Sequence, residues 1–197
     1  MGKIDGINAR YMEALSQYRP FVLGAGDADA RLMLVGEAPG ANEVEQGRPF
    51  VGAAGKNLDA FLSRMQISRD SIYITNAVKM RPTKKSPAGR LSNRPPTAQE
   101  ARLFHAWLQE EIRAVAPKII ATLGNVALCS VAGRKLAIGD LHGQPLAHGD
   151  AVIFPLYHPA AIIYRRELMS VYAEDVERLR VYAKEGHVPP SESTSPT

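Results

Sequence analysis

The chain has 197 residues, 45% of them hydrophobic, which predicts one globular domain with a sizeable core. Its net charge of +4 is too mild to identify a partner. No apolar run reaches ~18 residues, which argues against a membrane-spanning helix, and the single cysteine, Cys129, excludes an intrachain disulfide or a four-cysteine metal site. We expect a cytoplasmic protein without a metal, with one domain over residues 1–185 and a disordered tail over 186–197.

The first half of the chain is arranged around a glycine-rich loop. Apolar spacing predicts helices over 7–18 and 55–65, and the buried run 31–36 predicts a strand that glycine ends. The loop after this strand carries Glu37 and, further on, Phe50. Loops at the carboxyl ends of parallel strands are where open α/β sheets bind ligands, so Glu37 is a candidate catalytic carboxylate. Taken alone, Gly-Glu-Ala-Pro-Gly fits a plain tight turn equally well.

A second strand is predicted over residues 71–79 by alternation and β-branching, and it puts Asn76 near its carboxyl end. Residues 79–96 are rich in proline, glycine, serine and asparagine and are predicted to be a loop. This loop is basic, with no acidic residue between 71 and 99. It is either a surface that follows DNA phosphates or a solvated loop without a ligand.

The second half continues the alternation of helices and strands. Helices are predicted over 97–115 and 165–184, and strands over 118–124 and 151–155, with His158 just after the last strand. A lone histidine in such a place is more often structural than catalytic. Strands that alternate with helices predict a parallel sheet covered on both faces.

Four side chains would therefore meet at one edge of the sheet: Glu37, Phe50, Asn76 and His158. An asparagine amide offers a donor beside an acceptor, which matches the O4 and N3–H of uracil and mismatches cytosine. Phenylalanine can stack on a flat base, and histidine can stabilise negative charge on a leaving pyrimidine. A carboxylate can position water and stabilise an oxocarbenium-like sugar.

The chain resembles the uracil-DNA glycosylase superfamily, and most closely its family 4 branch. The matching segments, in order over about residues 15–180, are Gly36-Glu37-Ala38-Pro39-Gly40 with Glu43, Gly47-Arg48-Pro49-Phe50-Val51-Gly52, Thr75-Asn76-Ala77-Val78-Lys79, Arg81-Pro82, Asn93-Arg94-Pro95, Leu123-Gly124 and His158-Pro159-Ala160. The resemblance implies a three-layer α/β/α sandwich with a central four-stranded, largely parallel sheet. It also implies that the protein flips uracil out of single- or double-stranded DNA and removes it. We expect the protein to act as a monomer.

The resemblance implies a role for each candidate residue. Asn76 would read the uracil edge, Phe50 would stack on the base, and His158 would stabilise the departing anion. Glu37 is the first candidate for positioning water, and Glu43 is the second. The backbone at Gly36 and Ala38 would line the pocket. DNA contacts are expected from Lys79, Arg81, Lys84, Lys85 and Arg94, and from a minor-groove wedge of Ile163, Tyr164 and Arg165. That last segment is equally consistent with the start of the final helix.

Two features depart from the family. Its members carry four cysteines that bind an iron–sulfur cluster, whereas Met80 and Phe104 stand at two of those positions here and the N-terminal pair is missing. We therefore expect a relative without a cofactor. A related branch traps the abasic sugar covalently through a histidine in the basic loop; residues 83–94 contain no histidine, which predicts turnover.

Two alternatives stay open. The pocket could take another deaminated base, such as hypoxanthine or xanthine. The chain could also be a DNA-binding relative that has lost catalysis.

Overall fold

The computed structural model describes residues 2–165 and 167–185, so the expected tail at 186–197 lies outside the described residues. The helices are α1 (Asp5–Ala14), α2 (Ala41–Gln46), α3 (Ala53–Met65), α4 (Ala98–Val115), α5 (Asn125–Ala132), α6 (Ile138–Leu141), α7 (Pro159–Tyr164) and α8 (Leu168–Glu185). The strands are β1 (Ala25–Gly26), β2 (Leu32–Gly36), β3 (Tyr73–Asn76), β4 (Thr83–Lys85), β5 (Leu91–Asn93), β6 (Ile119–Leu123), β7 (Leu146–His148) and β8 (Ala151–Leu156). Short 3-10 turns cover Ser16–Tyr18 and Arg69–Ser71. Within the described part, no helix is long and apolar enough to cross a membrane.

The main sheet has the strand order β1-β3-β2-β6-β8-β7. The four central strands are parallel to one another, as predicted. The expectation of four strands in total is wrong, because β1 and β7 add one antiparallel strand at each edge. These edge strands have two and three residues, too few for a period-2 pattern to reveal them.

Helices cover both faces of the sheet, which confirms the three-layer architecture. Alternate side chains of β2 point to opposite faces: Leu32 and Leu34 belong to one buried cluster, and Met33 and Val35 to the other. The first cluster includes residues of α3 and α8, and the second includes residues of α4 and α5. The apolar spacing of α3 buries Leu58, Phe61, Leu62 and Met65.

A third, smaller cluster joins α1 and the following segment to α4. Trp107 stacks on Tyr11 with ring centroids 5.3 Å apart and meets Phe21 edge-on at 5.4 Å. Its Nε1–H donates to Asn8 Oδ1 at 3.0 Å, which satisfies the buried indole. Phe104, which is completely buried, packs against Trp107 at 6.1 Å.

The basic segment predicted as a loop contains a hairpin. Strands β4 and β5 pair antiparallel, with Thr83 opposite Asn93 and Lys85 opposite Leu91. The sequence did not reveal these strands, because they are exposed and carry no alternation of apolar residues.

Candidate active site

The predicted edge of the sheet carries a cavity of about 390 Å³, a size typical of small-ligand sites. Gly36 and Asn76 are the paired last residues of β2 and β3, and His158 follows the end of β8. The cavity is lined by Ala38, Gly40, Ala41, Asn42, Glu43, Phe50, Gly52, Ala53, Ala54, Asn76, Asn93, His158 and Ala160. The structure thus brings Asn76, Phe50 and His158 together, although they come from three distant segments.

Asn76 and Phe50 meet over Gly36. A Cβ atom built on Gly36 would lie 2.4 Å from Asn76 Oδ1 and 2.4 Å from Phe50 Cζ, so only glycine fits there. Phe50 is itself 5% exposed, and Asn76 is 2% exposed. The floor of the cavity is therefore a flat ring beside an amide, an arrangement suited to a planar heterocycle with a hydrogen-bonding edge.

His158 caps the N-terminus of α7 and faces the cavity as a neutral ring. Its Nδ1 accepts a hydrogen bond from the backbone N–H of Ala160 at 3.1 Å, which leaves the ring proton on Nε2. Burial lowers the pKa of His158, because a charged ring would lose its hydration. Gly124 lets the ring sit close: its φ is +90°, and a Cβ there would lie 3.2 Å from His158 Cβ. His158 can therefore donate a hydrogen bond from Nε2 into the cavity.

Glu37 lies just after β2 and beside the cavity, but it is not among the residues that line it. Its carbonyl oxygen accepts from the N–H of Val78 at 3.0 Å, which ties the loop to the chain after β3. Burial raises the pKa of the Glu37 carboxyl. Among the described residues, this carboxylate has no hydrogen-bond or ion-pair partner, so it is free to hold water.

Glu43 lines the cavity, but its carboxylate is used by the loop itself. Oε1 accepts from the N–H groups of Val51 (3.0 Å) and Gly52 (2.7 Å), and Oε2 accepts from the N–H of Gly40 at 3.0 Å. The last of these bonds is half of a capping box at the start of α2. These contacts favour a structural role for Glu43 and leave Glu37 as the carboxylate better placed for chemistry.

Asn93, at the end of β5, also lines the cavity, and sequence reasoning gives it no role. Its Oδ1 accepts from Arg81 Nε at 2.7 Å, which turns its Nδ2 toward Gly40, where a Cβ would lie 3.2 Å away. The only sequence signal is the match of Asn93-Arg94-Pro95 to the family. Arg81, which is expected to contact DNA, thus uses its Nε–H to orient the side chain of Asn93 at the cavity.

Lys79, also expected to contact DNA, cannot do so in this structure because its side chain is completely buried. It forms an ion pair with Glu111 of α4, also completely buried. Its Nζ further donates to the carbonyl oxygen of Asn76 at 2.8 Å and to Thr75 Oγ1 at 2.5 Å. The assignment of Lys79 to the DNA surface is therefore corrected to a place in the core behind Asn76.

The other expected DNA contacts lie at the surface to differing degrees. Lys84 and Lys85 are exposed on the β4–β5 hairpin, and Arg165 is exposed at the end of α7. The guanidinium of Arg94 already has a partner within the protein, since it pairs with both carboxylate oxygens of Glu100 at 2.7 Å. This pairing, together with the capping of α4, lowers the pKa of Glu100 to about 2.

The segment expected to enter the minor groove lies at the end of a short helix, with Arg165 just after it. Residues Pro159–Tyr164 are α7, which is separate from the final helix α8. The side chains of Ile163 and Tyr164 lie outside the described residues.

The two positions expected to replace iron–sulfur ligands, 80 and 104, lie in or against the third cluster described above. We call it the aromatic cluster, after its rings Tyr11, Phe21, Phe104 and Trp107. Phe104 packs beside Trp107, and Met80 packs against the same cluster. The chain's one cysteine, Cys129, lies in α5 and accepts a hydrogen bond from the N–H of Leu136. A four-thiolate cluster does not fit these residues. Within the described ranges, no group of three or more histidine, cysteine, aspartate or glutamate side chains could hold a metal ion.

Comparisons with known proteins point to one superfamily. The family model described as the uracil DNA glycosylase superfamily matches residues 23–180. A type-4 uracil-DNA glycosylase from Thermotoga maritima is 36% identical over 167 residues, covering 83% of each chain. Those from Pyrobaculum aerophilum and Sulfurisphaera tokodaii are 40% and 44% identical, over 64% and 53% of this chain. These two matches span only 63% and 44% of the relatives' own lengths.

A solved structure, SMUG2 from Pedobacter heparinus, superposes with a TM-score of 0.51. The match covers 80% of this chain and 76% of that one at 11% identity, so it shows a similar fold and nothing further.

Proposed function

The chain belongs to the uracil-DNA glycosylase superfamily, and from this premise we propose that it removes uracil from DNA by hydrolysis of the N-glycosidic bond, the first step of base excision repair. The observation that carries the proposal is the cavity in which Asn76, Phe50 and His158 converge. We infer that the target nucleotide is flipped out of the DNA into this cavity, because a base stacked in a duplex is not accessible to an active-site pocket.

Each side chain has a task in this reaction. Phe50 stacks on the flipped pyrimidine, and the Asn76 amide pairs with its O4 and N3–H. As the bond between C1′ and N1 breaks, negative charge builds on the base, and the neutral His158 donates from Nε2 to the O2 of uracil. No proton need leave the enzyme in this step, which suits a buried ring with a lowered pKa.

We assign the attacking water to Glu37. Its ionised carboxylate would stabilise the positively charged sugar, orient a water toward C1′ and take up the proton that this water loses. Two observations support this choice: among the described residues the Glu37 carboxylate has no hydrogen-bond partner, whereas the Glu43 carboxylate accepts three hydrogen bonds from backbone N–H groups.

We also propose that the enzyme works without an iron–sulfur cluster, as a monomer on cytoplasmic DNA. The support for the first point is that one cysteine cannot supply four thiolates. The monomer and the location are expectations from the sequence.

The test is base release from single- and double-stranded oligonucleotides that carry one uracil, followed by alkaline cleavage of the abasic site. Hypoxanthine and xanthine substrates are run in parallel. We expect cleavage at uracil, with kcat lowered roughly 10²- to 10³-fold by His158→Ala, as for removal of an oxyanion donor. His148→Ala is the matched control, because His148 lies in β7, opposite Ala151 at the far end of β8. Cleavage only at a deaminated purine would show that this base, and not uracil, is the substrate. DNA binding without any cleavage would refute the proposed activity.

A further inference from the structure

Phe50 has a backbone conformation that is rare for a residue with a large side chain. Its φ is +53°, in the left-handed region that favours glycine. Such a conformation costs free energy and persists only where surrounding contacts hold it. Because this residue also supplies the ring on the cavity floor, whatever holds its backbone also fixes the ring.

Arg69, in the 3-10 turn before β3, holds the carbonyl groups of this segment. Its Nη2 donates to the carbonyl oxygens of Pro49 at 2.6 Å and of Phe50 at 2.9 Å. Its Nη1 donates to Asp59 Oδ1 at 2.9 Å, which anchors the guanidinium to α3. One arginine therefore binds two successive carbonyls and is itself held by a carboxylate.

The amide groups that follow are held from the other side. The N–H groups of Val51 and Gly52 both donate to Glu43 Oε1. Gly55 of α3 completes the arrangement, because a Cβ there would lie 2.0 Å from the carbonyl oxygen of Phe50. The peptide groups on both sides of Phe50 are thus fixed by a cation, an anion and a close helix backbone.

We propose that Arg69 is a positioning residue for base binding, and that it acts by keeping the Phe50 ring preorganised to stack on the flipped base. Arg69 lies outside the cavity lining, beside Pro49 in a separate cleft, so it acts through Phe50 and not on the substrate. The inference rests on the proposed function, since the flipped base is what the ring stacks on. Without the Arg69 hydrogen bonds, the Phe50 peptide is free to relax toward negative φ and turn the ring away from Asn76.

The experiment is a double-mutant cycle of Arg69→Ala and Phe50→Ala, measured with a uracil oligonucleotide and with free uracil as competitor. We expect Arg69→Ala to lower kcat/KM and to weaken inhibition by uracil, each by roughly tenfold or more. In the Phe50→Ala background, the same change should cost little further, because its route to the base is gone. Arg69→Lys keeps the charge but not the fork of donors, so it should fall between wild type and Arg69→Ala.

Arg64→Ala is the matched control, since it removes an exposed arginine from α3 and should leave both constants unchanged. An equal loss from Arg69→Ala in both backgrounds would overturn the proposal. Should Arg69→Ala fail to fold, Arg69→Gln takes its place in the cycle.

A second readout does not depend on activity. Hydrogen exchange of the Val51 amide, which belongs to the same peptide group as the Phe50 carbonyl that Arg69 binds, should become faster in the Arg69 variant and stay unchanged in Arg64→Ala. Unchanged exchange in the Arg69 variant would refute the proposal that Arg69 holds the Phe50 segment, even if activity fell. If the wild-type protein released no base, the proposed function would be lost, while the exchange experiment would still decide whether Arg69 holds this segment.

Discussion

Lys79 and Glu111 form a completely buried ion pair directly behind Asn76. Lys79 Nζ donates to the carbonyl oxygen of Asn76, and Glu111 accepts from the hydroxyls of Tyr73 (3.1 Å) and Thr75. Burial lowers the pKa of Lys79, and the nearby Glu111 opposes that shift. The pair therefore links α4 to the end of β3, where Asn76 lies.

We expect Lys79→Met to be severely destabilising, because it leaves the Glu111 carboxylate buried without its cation. The free energy of unfolding should fall by about 3–5 kcal/mol, as when one partner of a buried pair is removed. Urea denaturation measures this loss. The double variant Lys79→Met/Glu111→Leu should recover much of it, since no charge is then left unpaired. A Lys79→Met protein of normal stability would contradict this assignment.

Lys79 also shows where the sequence misleads. It is the last residue of a predicted strand and opens a basic segment, which places it among the expected DNA contacts, but its partner lies on a helix 32 residues later. The prediction that Asn76 lies near the carboxyl end of a strand is confirmed, because Asn76 is the last residue of β3, although the strand ends three residues earlier than the predicted 79. Periodicity reports which face of an element is buried, not which distant polar groups pair in the core. The hydrogen bonds of Glu43 and the approach of Asn93 are hidden for the same reason.

Asn76→Ala should cost much of the discrimination between uracil and cytosine. A bidentate amide contact is worth about 1–3 kcal/mol, so kcat/KM for uracil should fall by roughly 5- to 150-fold. The measurement compares excision from uracil and cytosine oligonucleotides of the same sequence. Because Lys79 bonds to the Asn76 backbone and not to its amide, the variant should keep its fold, and thermal unfolding serves as the check. Full activity in a folded Asn76→Ala protein would remove Asn76 from base recognition.

Neutralising Lys84 and Lys85 together should weaken DNA binding without changing the choice of base. Both side chains are exposed on the hairpin, and removing each phosphate-neutralising charge should make the dependence of log K on log salt shallower by about 0.9 on duplex DNA. Fluorescence anisotropy over a salt series measures the slope. Arg31→Ala/Lys118→Ala is the matched control, since it removes two exposed cations from the opposite end of the sheet. An altered base preference in the hairpin variant would count against simple phosphate contacts.

The aromatic cluster of Tyr11, Phe21, Phe104 and Trp107 should carry a substantial part of the protein's stability. Phe104→Ala should lower the free energy of unfolding by about 3–5 kcal/mol, since it empties a completely buried site beside Trp107. Metal analysis of the purified protein should find no stoichiometric iron, and a chelator should leave both stability and base release unchanged. Iron bound at several atoms per chain would show that ligands come from outside a single chain.

The pH dependence of base release should separate the two glutamates. Burial raises the pKa of Glu37 above its ordinary value of 4.5, so kcat should rise with pH as this carboxyl loses its proton. The lowered pKa of His158 keeps its ring neutral at neutral pH. Protonation of Nδ1 in acid breaks the hydrogen bond from the N–H of Ala160 that orients the ring, which adds a second step on the acid side of the profile. Glu37→Gln should reduce kcat and remove the first step. Glu43→Gln should keep both steps, because its carboxylate binds backbone amides, and it should lower the melting temperature instead. If the first step were lost in Glu43→Gln and kept in Glu37→Gln, Glu43 and not Glu37 would be the residue that handles the water.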